Sequence, residues 1–212
     1  MKLKILILTL LTLGIAVSAG AADLNVGMSA DEDRLKSFHL ALSEHFQVDY
    51  NNIKATRDEI KNDEALPVVY FIAERARVHP RIVVSLRRQG KSWQQITTEL
   101  GFSAGIFYVE VENPTPPYGK ALGHFKNRKK NQWHKISLTD ADIVNLVNLQ
   151  FVSQYNGMSP DNVVKLRSTG STFMAINQQI KEAKKQNNVA QAGNDQSNGK
   201  GNGKSNKGGK KK

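Results

Sequence analysis

ARVHPRIVVSLRRQGKSWQQITTEL, residues 76–100, stands over NGMSPDNVVKLRSTGSTFMAINQQI, residues 156–180, at a constant offset of 80 with no gap. Pro80 falls on Pro160, Val83-Val84 on Val163-Val164, Leu86-Arg87 on Leu166-Arg167, Gly90 on Gly170, Trp93 on Phe173 and Ile96 on Ile176. The match extends upstream, where Leu66 and Phe71 meet Leu146 and Phe151. A fainter copy lies 30 residues before the first: Val48, Tyr50, Ile53 and Arg57 stand where Val78, Pro80, Val83 and Arg87 stand. Self-similarity of this kind marks a repeat architecture, in which each unit buries its apolar face against its neighbours.

Each unit reads as a helical hairpin. Proline suits the first helical position, whose N–H has no partner inside the helix, and Ser159 stands where an N-cap belongs. Gly90 and Gly170 stand where a helix stops on a left-handed residue. Ser92 or Ser171 can then cap a second helix, whose Trp93, Ile96 and Leu100, or Phe173, Ile176 and Ile180, share one face. Two further starts have capping-box character: Ser29 to Glu32, before Leu35, Phe38, Leu42 and Phe46, and Thr139 to Asp142, before Ile143, Leu146 and Leu149.

Residues 102–138 interrupt the repeat. Ile106 to Val111 and Trp133 to Leu138 are rich in β-branched and aromatic residues, which predicts a small two-stranded element. Pro114 to Lys120, between them, reads as a turn or an extended segment. The expected fold is therefore mainly α: repeated helical hairpins with a small β-containing insert and a disordered C-terminal tail. The tail, 186–212, is rich in Gly, Asn and Lys and has almost nothing to bury. The helical repeat domain is expected over 23–185, with its insert at about 102–138.

The N-terminus carries Lys2 and Lys4, an apolar run from Ile5 to Val17, then small residues before Asp23. This is the pattern of a secretory signal peptide, 1–22, cleaved after Ala21 or Ala22, and too short for a membrane span. A periplasmic or extracellular protein is expected. With no cysteine in the chain, thiol catalysis, cysteine metal sites and disulfides are excluded.

The net charge of +11 is unevenly placed. Residues 23–64 sum to −5, 65–139 to +8, 140–180 to −1 and 181–212 to +7. Within the positive region, Lys120, Lys126, Arg128, Lys129, Lys130 and Lys135 occur with no acid from 113 to 139. They are the candidate anion-binding residues. Phe125 and Trp133, interleaved with them, are candidates for stacking on bases or sugar rings. Arg57, Arg87 and Arg167 recur at one repeat position, either as helix-end and ion-pair partners or as a row of guanidinium groups for anions.

No catalytic set, metal site or cofactor is expected: His39 and His45 are six apart, the wrong spacing for two ligands on one helix face. His124 and His134, with Tyr118 nearby, are the only acid and base candidates, for a hydrolase or transferase acting on a phosphate-containing or glycan substrate. The principal expectation is instead an exported, non-enzymatic binding or scaffolding protein. Its partner would be an anionic polymer or surface, such as lipopolysaccharide, extracellular nucleic acid or an acidic protein, met by the insert and the cationic tail.

Two resemblances bear on this. Residues 80–108 resemble the helix-turn-helix of site-specific recombinases and many regulators: Arg81 to Arg88 is similar to its first helix, Ser92 to Leu100 to its second, Gly101 to Ser103 to its turn, and Ala104 onward to its reading helix. The resemblance implies a DNA partner, although the reading segment AGIFYVEVEN offers Glu110 and Glu112 to phosphates and no base-reading side chain before Asn113. The mature layout is also similar to small secreted proteins of Gram-negative bacteria, without an assigned activity, that pair LRxxG-type units with a PPYGK segment. Here these are Leu86 to Gly90, Leu166 to Gly170 and Pro116 to Lys120. That likeness implies export and a helical repeat fold.

Overall fold

The structure is a computed structural model describing residues 21–197, with side chains from 30 to 188. Residues 1–20 of the expected signal peptide and 198–212 of the expected tail lie outside the described residues. The chain divides into two compact units, Met1–Asp33 and Arg34–Lys212. The described part of the first is helical and opens α1, Ala21–Phe46. Ser29 therefore does not start this helix, which already runs from Ala21.

The second unit is helical throughout its regular structure. After α1 come α2 (Tyr50–Ile60), α3 (Leu66–Ala76), α4 (Pro80–Arg88), α5 (Trp93–Glu99), α6 (Tyr118–Lys126), α7 (Asp140–Asn156), α8 (Pro160–Ser168) and α9 (Phe173–Ser197). Short 3-10 turns cover Asp63–Ala65, Ala104–Phe107 and Lys130–Lys135. The tail boundary expected at 186 does not interrupt α9, which continues to Ser197.

The backbone carries the repeat in all three copies. Gln47, Arg77 and Gly157, at one repeat position, are left-handed, with φ of 53°, 53° and 65°. Each closes the preceding helix, and the next amide returns to it: Val48 N to Ser43 O at 3.0 Å, Val78 N to Ala73 O at 3.0 Å, Met158 N to Ser153 O at 2.9 Å. Two residues beyond the left-handed one, Asp49, His79 or Ser159 accepts from a first-turn amide and starts the next helix. The second junction also repeats, with Gly90 at φ 83° and Gly170 at 87°. Ser92 then opens α5 with a capping box. For α9 the cap is Thr172, at Ser92's repeat position, which accepts from Ala175 N at 3.2 Å; Ser171 has another role.

The equivalent helices α3 and α7 pack against each other at the centre. Every residue of α3 from Leu66 to Ala73 is buried, so this helix is covered on all sides. α4 packs on α3, and α8 on α7. Trp93, Phe38, Ile53, Ile96, Phe151 and Phe173 fill the spaces between helices and are fully or almost fully buried. Removing such a side chain from water contributes about 1.5–3 kcal/mol.

The insert corrects the expected β element: no strand forms among the described residues. The alternation in Ile106 to Val111 is real, since Phe107 and Val109 are buried while Tyr108 and Glu110 face out. The segment nevertheless finds side chains where a ladder needs a second strand. Asp161 Oδ1 accepts from Glu112 N and Asn113 N, each at 3.2 Å. At the second expected strand, the Gln94 amide donates to Ile136 O at 2.9 Å and accepts from Leu138 N. One glutamine thus satisfies two backbone groups that a neighbouring strand would have used.

Candidate functional site

The basic face is built on α6. Tyr118, Ala121, Leu122 and Phe125 form its buried side, at the spacing that puts one stripe of a helix into the core. That stripe packs against α7, leaving Lys120 and Lys126 exposed. The chain then runs through the exposed Arg128, Lys129 and Lys130 into the turn Lys130–Lys135. All six candidate cations are exposed, and none has a carboxylate within ion-pair distance among the described residues.

Beneath these cations lies a three-ring cluster. Trp133 packs 4.8 Å from Tyr108 and 5.1 Å from Phe125, the latter pair edge to face, and Tyr108 lies 5.4 Å from Phe125. The indole Nε1 donates to Arg128 O at 3.3 Å, and Lys130 Nζ sits 5.9 Å from the indole ring. Gly105 leaves room for Trp133, since a Cβ there would come within 3.2 Å of the indole. Of the two stacking candidates, Phe125 is buried and supports Trp133 from below, so it offers no face to a ligand. Trp133 is half-buried, and the outward ring beside it is Tyr108, 36% exposed. Sequence reasoning placed Tyr108 in a strand and missed it, though the alternation of Ile106 to Val111 already turned it outward.

The three repeat-position arginines make different contacts. Arg87 donates from Nη1 to Lys91 O at 2.8 Å, lies 4.5 Å over Trp93 and pairs with Asp140 at 2.7 Å. Arg167 repeats the first two contacts, with Ser171 O at 2.6 Å and Phe173 at 4.9 Å. Arg57 instead reaches Asp63 at 3.5 Å and Asp58 at 3.8 Å and closes no turn. Its unit lacks the glycine turn, ending α2 on Lys61 in a left-handed conformation.

Tyr118 has no exposed surface, and burial pushes its phenol well above the ordinary range. His124 is half-buried on α6 and His134 is exposed beyond it. No hydrogen bond or ring contact joins any two of the three among the described residues. The other histidines have structural partners: His39 Nε2 lies 2.9 Å from Asp63, His79 caps α4, and His45 packs on Phe46 and Phe151. The described residues hold no cluster of three or more potential metal ligands. No helix among them is long and apolar enough to cross a membrane.

The reading helix implied by the helix-turn-helix resemblance does not form. Its place is taken by the single turn Ala104–Phe107, whose Ala104 and Phe107 are buried. No family model matches the chain, and no curated protein or solved structure matches it.

Proposed function

We propose that the chain is an exported, non-enzymatic binding or scaffolding protein of the cell envelope or extracellular space. It contacts an anionic polymer through the basic face of its insert, and the lysine-rich tail adds to the attraction. The observation that carries this reading is the exposure of Lys120, Lys126, Arg128, Lys129, Lys130 and Lys135 with no carboxylate paired to any of them among the described residues. Cations with no protein counter-charge are free to exchange bound solution ions for polymer charges. On B-DNA this exchange lowers log affinity by about 0.9 per decade of salt for each phosphate neutralised. The half-buried Trp133 and exposed Tyr108 add a surface on which planar groups can rest.

Chromatography of the mature protein on heparin and on DNA tests the proposal. Retention should fall steeply as salt rises, drop on deletion of 186–212, and drop again when Lys126, Arg128, Lys129 and Lys130 are changed to glutamine. Absent or salt-insensitive retention would overturn it. Recovery of a mature chain from periplasm or medium, beginning near Ala22 or Asp23, tests the export component.

A further inference from the structure

A cleft of about 610 Å³ opens where the two halves of the repeat meet. Residues 80 apart line it together: Ile60 with Asp140, Glu64 with Val144, and Arg87 with Arg167. The cleft therefore lies on the internal symmetry of the molecule, but its two sides differ in chemistry. Arg87 is neutralised by Asp140 at 2.7 Å. At Asp140's repeat position the other half has Ile60, which has no charge to give.

Glu64 makes up only part of the difference. Its Oε1 accepts from Phe173 N at 3.0 Å, as Asp140 Oδ1 accepts from Trp93 N at 2.8 Å. No carboxylate lies within ion-pair distance of Arg167 among the described residues. The guanidinium is held in place by Ser171 O and by the Phe173 ring, yet its buried Nε donates to no protein group. A guanidinium fixed in this way, partly exposed at the cleft and without a carboxylate of its own, suits the carboxylate of a ligand.

The rest of the lining selects among anions. Arg87 and Arg88 are paired with Asp140 and Glu59, which leaves Arg167 and Glu64, so a doubly charged phosphate would find no cation for its second charge. A ligand with an ammonium beside its carboxylate would instead use both Arg167 and Glu64, whose second oxygen has no protein partner. The volume lies within the usual range for small-molecule sites, about 300–1,000 Å³. We infer that this cleft binds a small zwitterion, a free amino acid or short peptide, with Arg167 receiving the carboxylate and Glu64 facing the ammonium. The site is separate from the basic face and does not rest on the polymer-binding reading.

Side-chain Nε–Hε resonances of the isotope-labelled mature protein test this directly, titrated with alanine, dialanine, acetate, ethylammonium and inorganic phosphate. Alanine or dialanine should shift the Arg167 resonance, and whichever binds tighter separates amino acid from peptide. Acetate, ethylammonium and phosphate should bind at least about tenfold more weakly. Glu64→Gln keeps an acceptor for Phe173 N and should reduce zwitterion affinity to that of acetate. Arg167→Met keeps an apolar stem over Phe173 and should abolish binding. Should that variant not fold, Arg167→Lys keeps the charge without the fork and should weaken binding about tenfold. An unmoved Arg167 resonance, phosphate or acetate binding as tightly as the zwitterions, or binding undiminished by the arginine substitutions would overturn the assignment.

Discussion

His45 shows how a single side chain couples this fold to pH. Its ring packs edge-on to Phe46 at 4.7 Å and Phe151 at 5.1 Å. Burial lowers its pKa below the ordinary 6.5, and the charge of Glu74 offsets part of that effect. The unfolded chain therefore binds more protons than the folded one as pH falls through 6.5, so stability is full above that value and declines below it. Urea unfolding on either side of pH 6.5 should show the decline, and His45→Phe should lessen it. Arg87 has a different role, closing a turn, covering Trp93 and meeting Asp140. Its ion pair is about one-third exposed and counts for little, whereas the part-buried turn bond and the contact with the buried Trp93 ring count for more. Arg87→Met should destabilise by about 1–2 kcal/mol in chemical denaturation.

At the level of the element, the left-handed junctions are the points where one backbone requirement meets different side chains. Gly157 adopts its conformation without steric cost, whereas Gln47 and Arg77 carry a Cβ through the same turn. Arg77→Gly should therefore stabilise the protein by about 0.5–1 kcal/mol, after allowance for the greater freedom of glycine in the unfolded chain. Gly90→Ala and Gly170→Ala should each destabilise by about 1–2 kcal/mol. An added Cβ at either glycine meets nothing within 4 Å, so the loss would be backbone strain alone. Thermal melts of the single variants check both signs. These turns were legible because glycine and proline punctuate the chain at a fixed offset. The insert was not, because alternation shows which side chains turn inward and not whether a second strand is present.

Across the whole molecule, the halves complete each other's helices. Asp140, at the start of α7, caps the first turn of α5, and Glu64, just before α3, caps the first turn of α9. Neither α5 nor α9 has its first turn fully satisfied by its own half. Asp140→Ala should cost about 1–2 kcal/mol and speed amide exchange at Trp93, and Glu64→Ala should do the same at Phe173. Because the caps cross between halves, unfolding should be one transition by both fluorescence and circular dichroism. Two separated transitions would show that the halves are independent.

The repeat, the helical class, the α4 and α8 starts, the glycine turns and the concentration of charge in 120–135 could all be read from residue order, because propensity, capping and composition act over a few residues. The partners of those residues could not. Asp140 is 47 positions from the amide it caps and Glu64 is 109, and no local rule links such distances. Packing of α3 against α7 brings these acids to the opposite hairpins, packing of α6 on α7 buries Tyr118 and Phe125, and the insert sets Tyr108 beside Trp133. It also leaves Arg167, alike in sequence to Arg87, without a carboxylate among the described residues such as Arg87 has. The repeat makes the two arginines equivalent along the chain, and the residues brought opposite them make them chemically different.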